Sequence, residues 1–117
     1  MKRLTGQKGE NYAAMFLQKN GYNVIHQNLY TRYGEIDIVA HKNSTLVFVE
    51  VKTRKSLACG HPEDSFTVRK YRLLLKSAWQ YIYKSKYRGL WRMDLIAIIM
   101  NSFDEVEDIR HYRNVNF

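Results

Sequence analysis

The sequence predicts a layered α/β domain, a central sheet covered by helices, with elements in the order helix, three strands, helix, strand. Three observations carry this. Apolar residues recur at helical spacing in two segments, one near the start of the chain and one past its middle. Between them lie two runs rich in β-branched residues, separated by a short polar stretch, and a further apolar run follows the second helical segment. A length of 117 residues leaves room for one domain, residues 1–117, with one modest core.

Taken in order, segment 9–20 places Ala13, Phe16 and Leu17 on one helical face, and Gly21 stands where a glycine closes a helix. Segment 22–27 alternates as a short strand, and 28–33 reads as connection. Strands are expected at 35–40 and 45–52, joined as a hairpin through His41-Lys42-Asn43-Ser44. From 53 to 62 the periodicity stops, so this stretch, with Cys59 and Gly60, reads as a loop. Asp64 or Ser65 is placed to cap a long second helix, whose stripe is Tyr71, Leu74, Leu75, Ala78 and Ile82. Segment 92–100 is a last buried strand, and the acidic stretch 104–108 precedes a tail ending at Phe117.

Composition narrows the function. Hydrophobic residues at 45% and charged residues at 26% exclude a disordered chain, and the longest apolar runs, such as 95–100, are too short to cross a bilayer. A single cysteine makes no internal disulfide and no apolar stretch follows the basic start, so a cytoplasmic address and no membrane contact are expected. Nineteen Lys and Arg against eleven Asp and Glu give a net charge of +8, which points to nucleic acid or another anionic surface. The surplus is local: between Asp64 and Asp94 there is no acidic residue, while Arg69, Lys70, Arg72 and Lys76 open the second helix. Aromatic residues interleave with these cations and are assigned mostly to the core, with one or two left for stacking on unpaired bases.

Residues two apart on a strand share a face. Glu35 and Asp37 therefore project together with Ile36 and Ile38 behind them, and Phe48, Glu50 and Lys52 oppose Val47, Val49 and Val51. If the two strands pair in suitable register, three carboxylates and one ammonium meet on one patch. Close carboxylates repel, and a hard cation such as Mg²⁺, which prefers oxygen ligands, relieves the repulsion. The alternative is a solvated sheet face on which Lys52 pairs with Glu35 or Glu50. The pattern alone leaves both open.

Gly34-Glu35-Ile36-Asp37 followed by Phe48-Val49-Glu50-Val51-Lys52-Thr53-Arg54 resembles the active-site hairpin of the PD-(D/E)XK nuclease superfamily, the restriction-endonuclease-like fold. Over nearly its full length the chain resembles the YraN-type family of small bacterial proteins, which is similar to archaeal Holliday-junction resolvases. Gly6, Gly9-Glu10, Gly21-Tyr22, Gly60 with Pro62, Lys70 and Arg92-Met93-Asp94 also fit that family's pattern. The superfamily's proline is replaced by Ile36, which leaves Asp37 in place.

The resemblance implies a three-layer sandwich with a mixed central sheet and a Mg²⁺- or Mn²⁺-dependent endonuclease acting on branched or structured DNA. Asp37 and Glu50 would bind metal, with Glu10 and the Val51 carbonyl beside them and Glu35 as an extra or outer ligand. Lys52 would be the catalytic lysine, positioning water and stabilising the transition state. Arg54, Lys55, Arg69, Lys70 and Lys76 would hold the phosphodiester backbone, in a salt-dependent manner blind to sequence. Resolvases of this kind pair to make two cuts, so a homodimer is implied by analogy. A nucleic-acid-binding module that cleaves nothing and a dimerising adaptor are the alternatives.

Other candidates rank below these. Cys59-x-His61 lacks the second ligand pair that zinc needs, His26, His41 and His111 show no common spacing, and Asp94 beside Arg92 reads as a structural pair.

Overall fold

The computed structural model describes residues 4–58 and 60–117; Cys59, considered above as a zinc ligand, lies outside them. Helix α1 (Leu4–Lys19) leads into β1 (Asn23–Thr31), β2 (Gly34–Lys42) and β3 (Thr45–Arg54). A 3₁₀ turn (Pro62–Ser65) and helix α2 (Val68–Ser85) follow, then β4 (Leu90–Met100) and β5 (Val106–Tyr112). The strands form one mixed sheet in sequence order: β1–β2, β2–β3 and β4–β5 are antiparallel, and β3–β4, bridged by α2, is parallel.

Two apolar layers hold the helices to opposite faces. Ala13, Ala14 and Leu17 of α1 pack with Ile38, Ala40, Val47, Val49, Val51, Ile96 and Ile98. Leu74, Ala78 and Ile82 of α2 pack with Ile36, Val39, Leu46, Phe48, Met93 and Leu95. The result is a three-layer α/β sandwich. The alternation of β3 is as expected, its valines beneath α1 and Phe48 beneath α2. Among the described residues no helix is long and apolar enough to cross a membrane.

Local chemistry sets the boundaries. Gly21 at φ +86° closes α1, with its N–H bonded to Gln18 O at 3.1 Å and that of Tyr22 to Leu17 O at 2.9 Å. The β2–β3 hairpin is tighter than expected: Lys42 pairs Thr45, leaving only Asn43 and Ser44 in the turn, both at positive φ.

Six expectations are corrected. The helix begins at Leu4 rather than at residue 9, and β3 keeps Thr53 and Arg54. Residues 28–31 belong to β1, paired with β2, rather than to a connection. Asp64 and Ser65 lie in the 3₁₀ turn; the cap of α2 is Thr67, whose Oγ1 accepts from the Lys70 N–H at 3.2 Å. Ile36 and Ile38 enter different cores, because the strand is irregular at Asp37. Segment 106–112 is a fifth strand, so the order is αβββαββ. A bulge between Ile99 and Met100 sets Val106 and Ile109 against the same core and erases the two-residue period that would have revealed the strand.

Candidate active site

A cavity of about 390 Å³ opens where β3 ends, between the N-terminal halves of α1 and α2. This is the carboxyl end of the parallel pair, the usual location of sites in open α/β sheets. Its walls include Glu10 of α1, Glu35 and Asp37 of β2, Glu50, Val51 and Lys52 of β3, and Lys70 and Ser77 of α2.

Glu10 reaches the sheet because α1 approaches β3 closely. A side chain at Gly9 would collide with Thr53, its Cβ falling 2.9 Å from Thr53 Cβ and nearer still to Oγ1. Only glycine permits that contact, and the following residue, Glu10, is only 2% exposed. Asp37 enters where the β2–β3 ladder stops: pairing ends at Ile38 with Val49, and the Val51 N–H donates to Asp37 Oδ2 at 2.8 Å instead. A carboxylate thereby takes the role of a backbone acceptor at the strand end. Carboxylate oxygens of Glu10, Glu35 and Asp37 all lie within 4.8 Å of one another.

The turn between β1 and β2 is fastened to α2. Thr31 Oγ1 and Ser77 Oγ are 2.8 Å apart, and the Arg32 N–H donates to Gln80 Oε1 at 3.1 Å. Tyr33 then lines the cavity, with the Lys76 ammonium 5.7 Å from its ring centroid. On β3, Lys52 Nζ stands 3.0 Å from Glu50 Oε2, each side chain about one-sixth exposed. The Lys52 ammonium, with burial behind it, holds the amine of Lys70 below the ordinary lysine range, and Glu50 opposes this. Two lysines thus face one another across a site rich in carboxylates.

The profile of the uncharacterised protein family UPF0102 matches residues 9–98, a span that holds Glu10, Glu35, Asp37, Glu50, Lys52 and Lys70. The chain belongs to UPF0102. Similar UPF0102 proteins include one from Syntrophomonas wolfei, 48% identical over 116 residues covering 97% of this chain and 98% of that protein. One from Caldicellulosiruptor saccharolyticus is 40% identical over 114 residues, covering 97% of each chain. One from Persephonella marina is 36% identical over 106 residues, covering 90% and 91%.

Of the site residues expected from sequence, Glu10, Glu35, Asp37, Glu50, Val51, Lys52 and Lys70 of this UPF0102 chain meet in a single shared cavity. Arg69 is exposed one residue before Lys70, Lys76 reaches the rim at Tyr33, and Arg54 is half-buried at the end of β3. Lys55 differs from the rest: its ammonium lies 2.8 Å from Asp104 Oδ1, and Lys8 binds the other oxygen. Tyr33 and Ser77, which also line the cavity, belong to no acidic or basic pattern in the sequence. Of the aromatics in and after α2, Tyr71, Tyr81, Tyr87 and Trp91 pack against the core as expected, and Trp79 and Tyr83, 53% and 85% exposed, are the two left outside it.

Asp94 belongs to a different structure, as its pairing with Arg92 suggested. Fully buried, it accepts from Arg92 Nε at 2.9 Å and from the Asn114 N–H at 2.9 Å, and lies 2.7 Å from His111 Nε2. Burial raises its proton affinity, but the His111 and Arg92 hydrogen bonds outweigh this and hold the carboxyl below the usual range.

Proposed function

We propose that this UPF0102 chain is a metal-dependent hydrolase of nucleic-acid phosphodiesters, acting on branched or otherwise structured DNA. The observation that supports this reading best is the convergence of Asp37, Glu50 and Lys52, from two paired strands, in one cavity beside the basic start of α2. Glu10, Glu35, Asp37 and Glu50 offer carboxylate oxygens only, a donor set suited to Mg²⁺ or Mn²⁺ and unsuited to soft metals. Such a cation, when bound, supplies Lewis-acid chemistry, neutralising phosphate charge and making a water nucleophilic.

The chain's own residues do the rest. Glu50 holds the Lys52 ammonium at 3.0 Å, so that its remaining N–H groups point a fixed positive charge at a phosphoryl oxygen or an incoming water. Water oxygen forms the new P–O bond and gives up a proton to solvent, as the bridging ester oxygen leaves with its electron pair and takes a proton from solvent. Lys70 lines the cavity and Arg69 lies beside it on α2, where they take flanking phosphates; Lys76 and Tyr33 continue this surface at the rim. All of these cations bind backbone and none reads a base edge, which favours recognition of DNA shape over sequence. Two chains acting as a pair would give two symmetric cuts. The cytoplasm, where DNA and free Mg²⁺ coexist, is the compartment proposed.

The test incubates the purified chain with linear, nicked, flapped and four-way DNA in Mn²⁺, Mg²⁺ or EDTA, alongside Glu50→Ala. Metal-dependent cleavage of branched DNA that the variant loses is the expected result. Equal cleavage by the variant refutes the assignment. Tight binding without cleavage by either would replace the hydrolase with a binding module.

A further inference from the structure

We propose that Asn28 is part of the cation site, its side-chain amide bridging Glu10 and Glu35 in the metal-free protein and turning its oxygen inward when a divalent cation binds. This rests on the metal-dependent reading above and adds a neutral ligand to the acidic set.

The position is built for it. Asn28 lies on β1 at φ +54°, a left-handed conformation that asparagine tolerates better than other side chains. The β1–β2 register runs from Gln27 with Ile38 to Leu29 with Ile36, passing over Asn28 and Asp37. Both strands therefore release a residue from the ladder at the same place. The side chain of Asn28 then reaches two acids from different elements. With its nitrogen turned toward them it donates to Glu10 Oε1 and to Glu35 Oε1, both at 2.5 Å.

That orientation is assigned from the hydrogen-bond pattern, because an oxygen in the same place would face two carboxylate oxygens. A cation changes the preference. Neighbouring oxygens around Mg²⁺ stand about 2.9 Å apart, given bonds of about 2.05 Å at right angles, so an amide oxygen packed against two carboxylate oxygens is the arrangement a ligand shell requires. The two states differ by a half-turn about the last side-chain torsion of Asn28, with no backbone movement. One residue thus serves as a donor that holds the acids together without metal and as an acceptor in its presence.

The test titrates Mn²⁺ into the full chain and follows the free ion by electron paramagnetic resonance, for the natural protein, Asn28→Gly, Asn28→Asp and Glu35→Gln. Glycine is at ease at positive φ, so Asn28→Gly removes the amide without straining the strand, and aspartate keeps an oxygen while losing the donor. Asn28→Gly should weaken Mn²⁺ binding roughly ten-fold. Asn28→Asp should bind at least as tightly as the natural protein, yet melt lower than Asn28→Gly in EDTA and recover on adding Mn²⁺. Unchanged affinity in Asn28→Gly, with Glu35→Gln weakened, overturns the role of Asn28 and leaves the metal site standing. Affinity in Asn28→Asp below that of Asn28→Gly likewise overturns it, because the residue would then act only as a donor. Absence of Mn²⁺ binding by the natural protein overturns the metal reading itself, and this proposal with it.

Discussion

Replacing Gly9 by alanine tests whether the close approach of α1 to β3 is what carries Glu10 into the site. Alanine is the better helix former, and on an exposed helix the change would stabilise by about 1 kcal/mol. Here the added Cβ would stand 2.9 Å from Thr53 Cβ and closer to Thr53 Oγ1. Rotating the threonine moves its Oγ1 but not its Cβ, so either the helix or the strand must shift. Overpacking of this kind costs about 1–3 kcal/mol, and set against the helix gain the net expectation is destabilisation by up to about 2 kcal/mol. For 117 residues the unfolding entropy is about 0.25 kcal/mol/K, so the melting temperature should fall, by up to about 8 °C. Thr53→Ala removes Oγ1 and Cγ2 and should restore part of that loss in the double variant, a coupling readable by calorimetry on the four proteins. Because Glu10 follows Gly9 directly, Gly9→Ala should also weaken Mn²⁺ binding. A variant that melts at or above the natural protein would refute the claim that this contact sets the helix position.

Lys52→Arg keeps the charge but replaces a compact ammonium with a broad planar fork, and the cleavage rate should fall by about 10²-fold; a full rate would contradict the role given to Lys52. Lys70→Gln relieves the opposition of Lys52, so it should melt no lower than the natural protein while binding DNA more weakly, with a log K against log salt slope smaller by about one. Asp94→Asn breaks a buried charged network outside the cavity and should cost about 3 kcal/mol, read as a fall of about 12 °C in melting temperature, with Mn²⁺ binding retained. The pH dependence of the same group has a definite sign. Its folded proton affinity is depressed, so its stabilisation is complete above its ordinary value of 3.8 and is lost as pH falls through the lower folded value. Denaturant midpoints between pH 6 and pH 3 should therefore decline less steeply in Asp94→Asn, and parallel profiles would refute this.

The elements legible in the sequence were those whose side chains keep a regular period. The stripe on α2 and the valines of β3 alternate or recur cleanly and pack as expected, with Leu74, Ala78 and Val49 buried. What was hidden was irregular. In β5 the bulge opposite Ile99 and Met100 breaks the period, and in β1 the part read as connection begins at Asn28, whose positive φ interrupts the alternation. The site followed the same division. Glu50 and Lys52 share a side by simple alternation, but Glu35 and Asp37 come together across a strand irregularity that sends Ile36 and Ile38 to different cores. Spacing gave the right grouping there for an incomplete reason. Asn28 was illegible because its reach depends on a left-handed backbone and on strand register. Lys55 looked available for phosphate only because Asp104, its partner, lies 49 residues away in sequence.

The most direct measurement is anomalous diffraction from crystals soaked in Mn²⁺. A single strong peak inside the cavity, held by carboxylate oxygens of the Glu10, Glu35, Asp37 and Glu50 set, is the predicted outcome. A well-ordered cavity with no peak at saturating Mn²⁺, Lys52 still paired to Glu50, would contradict the account.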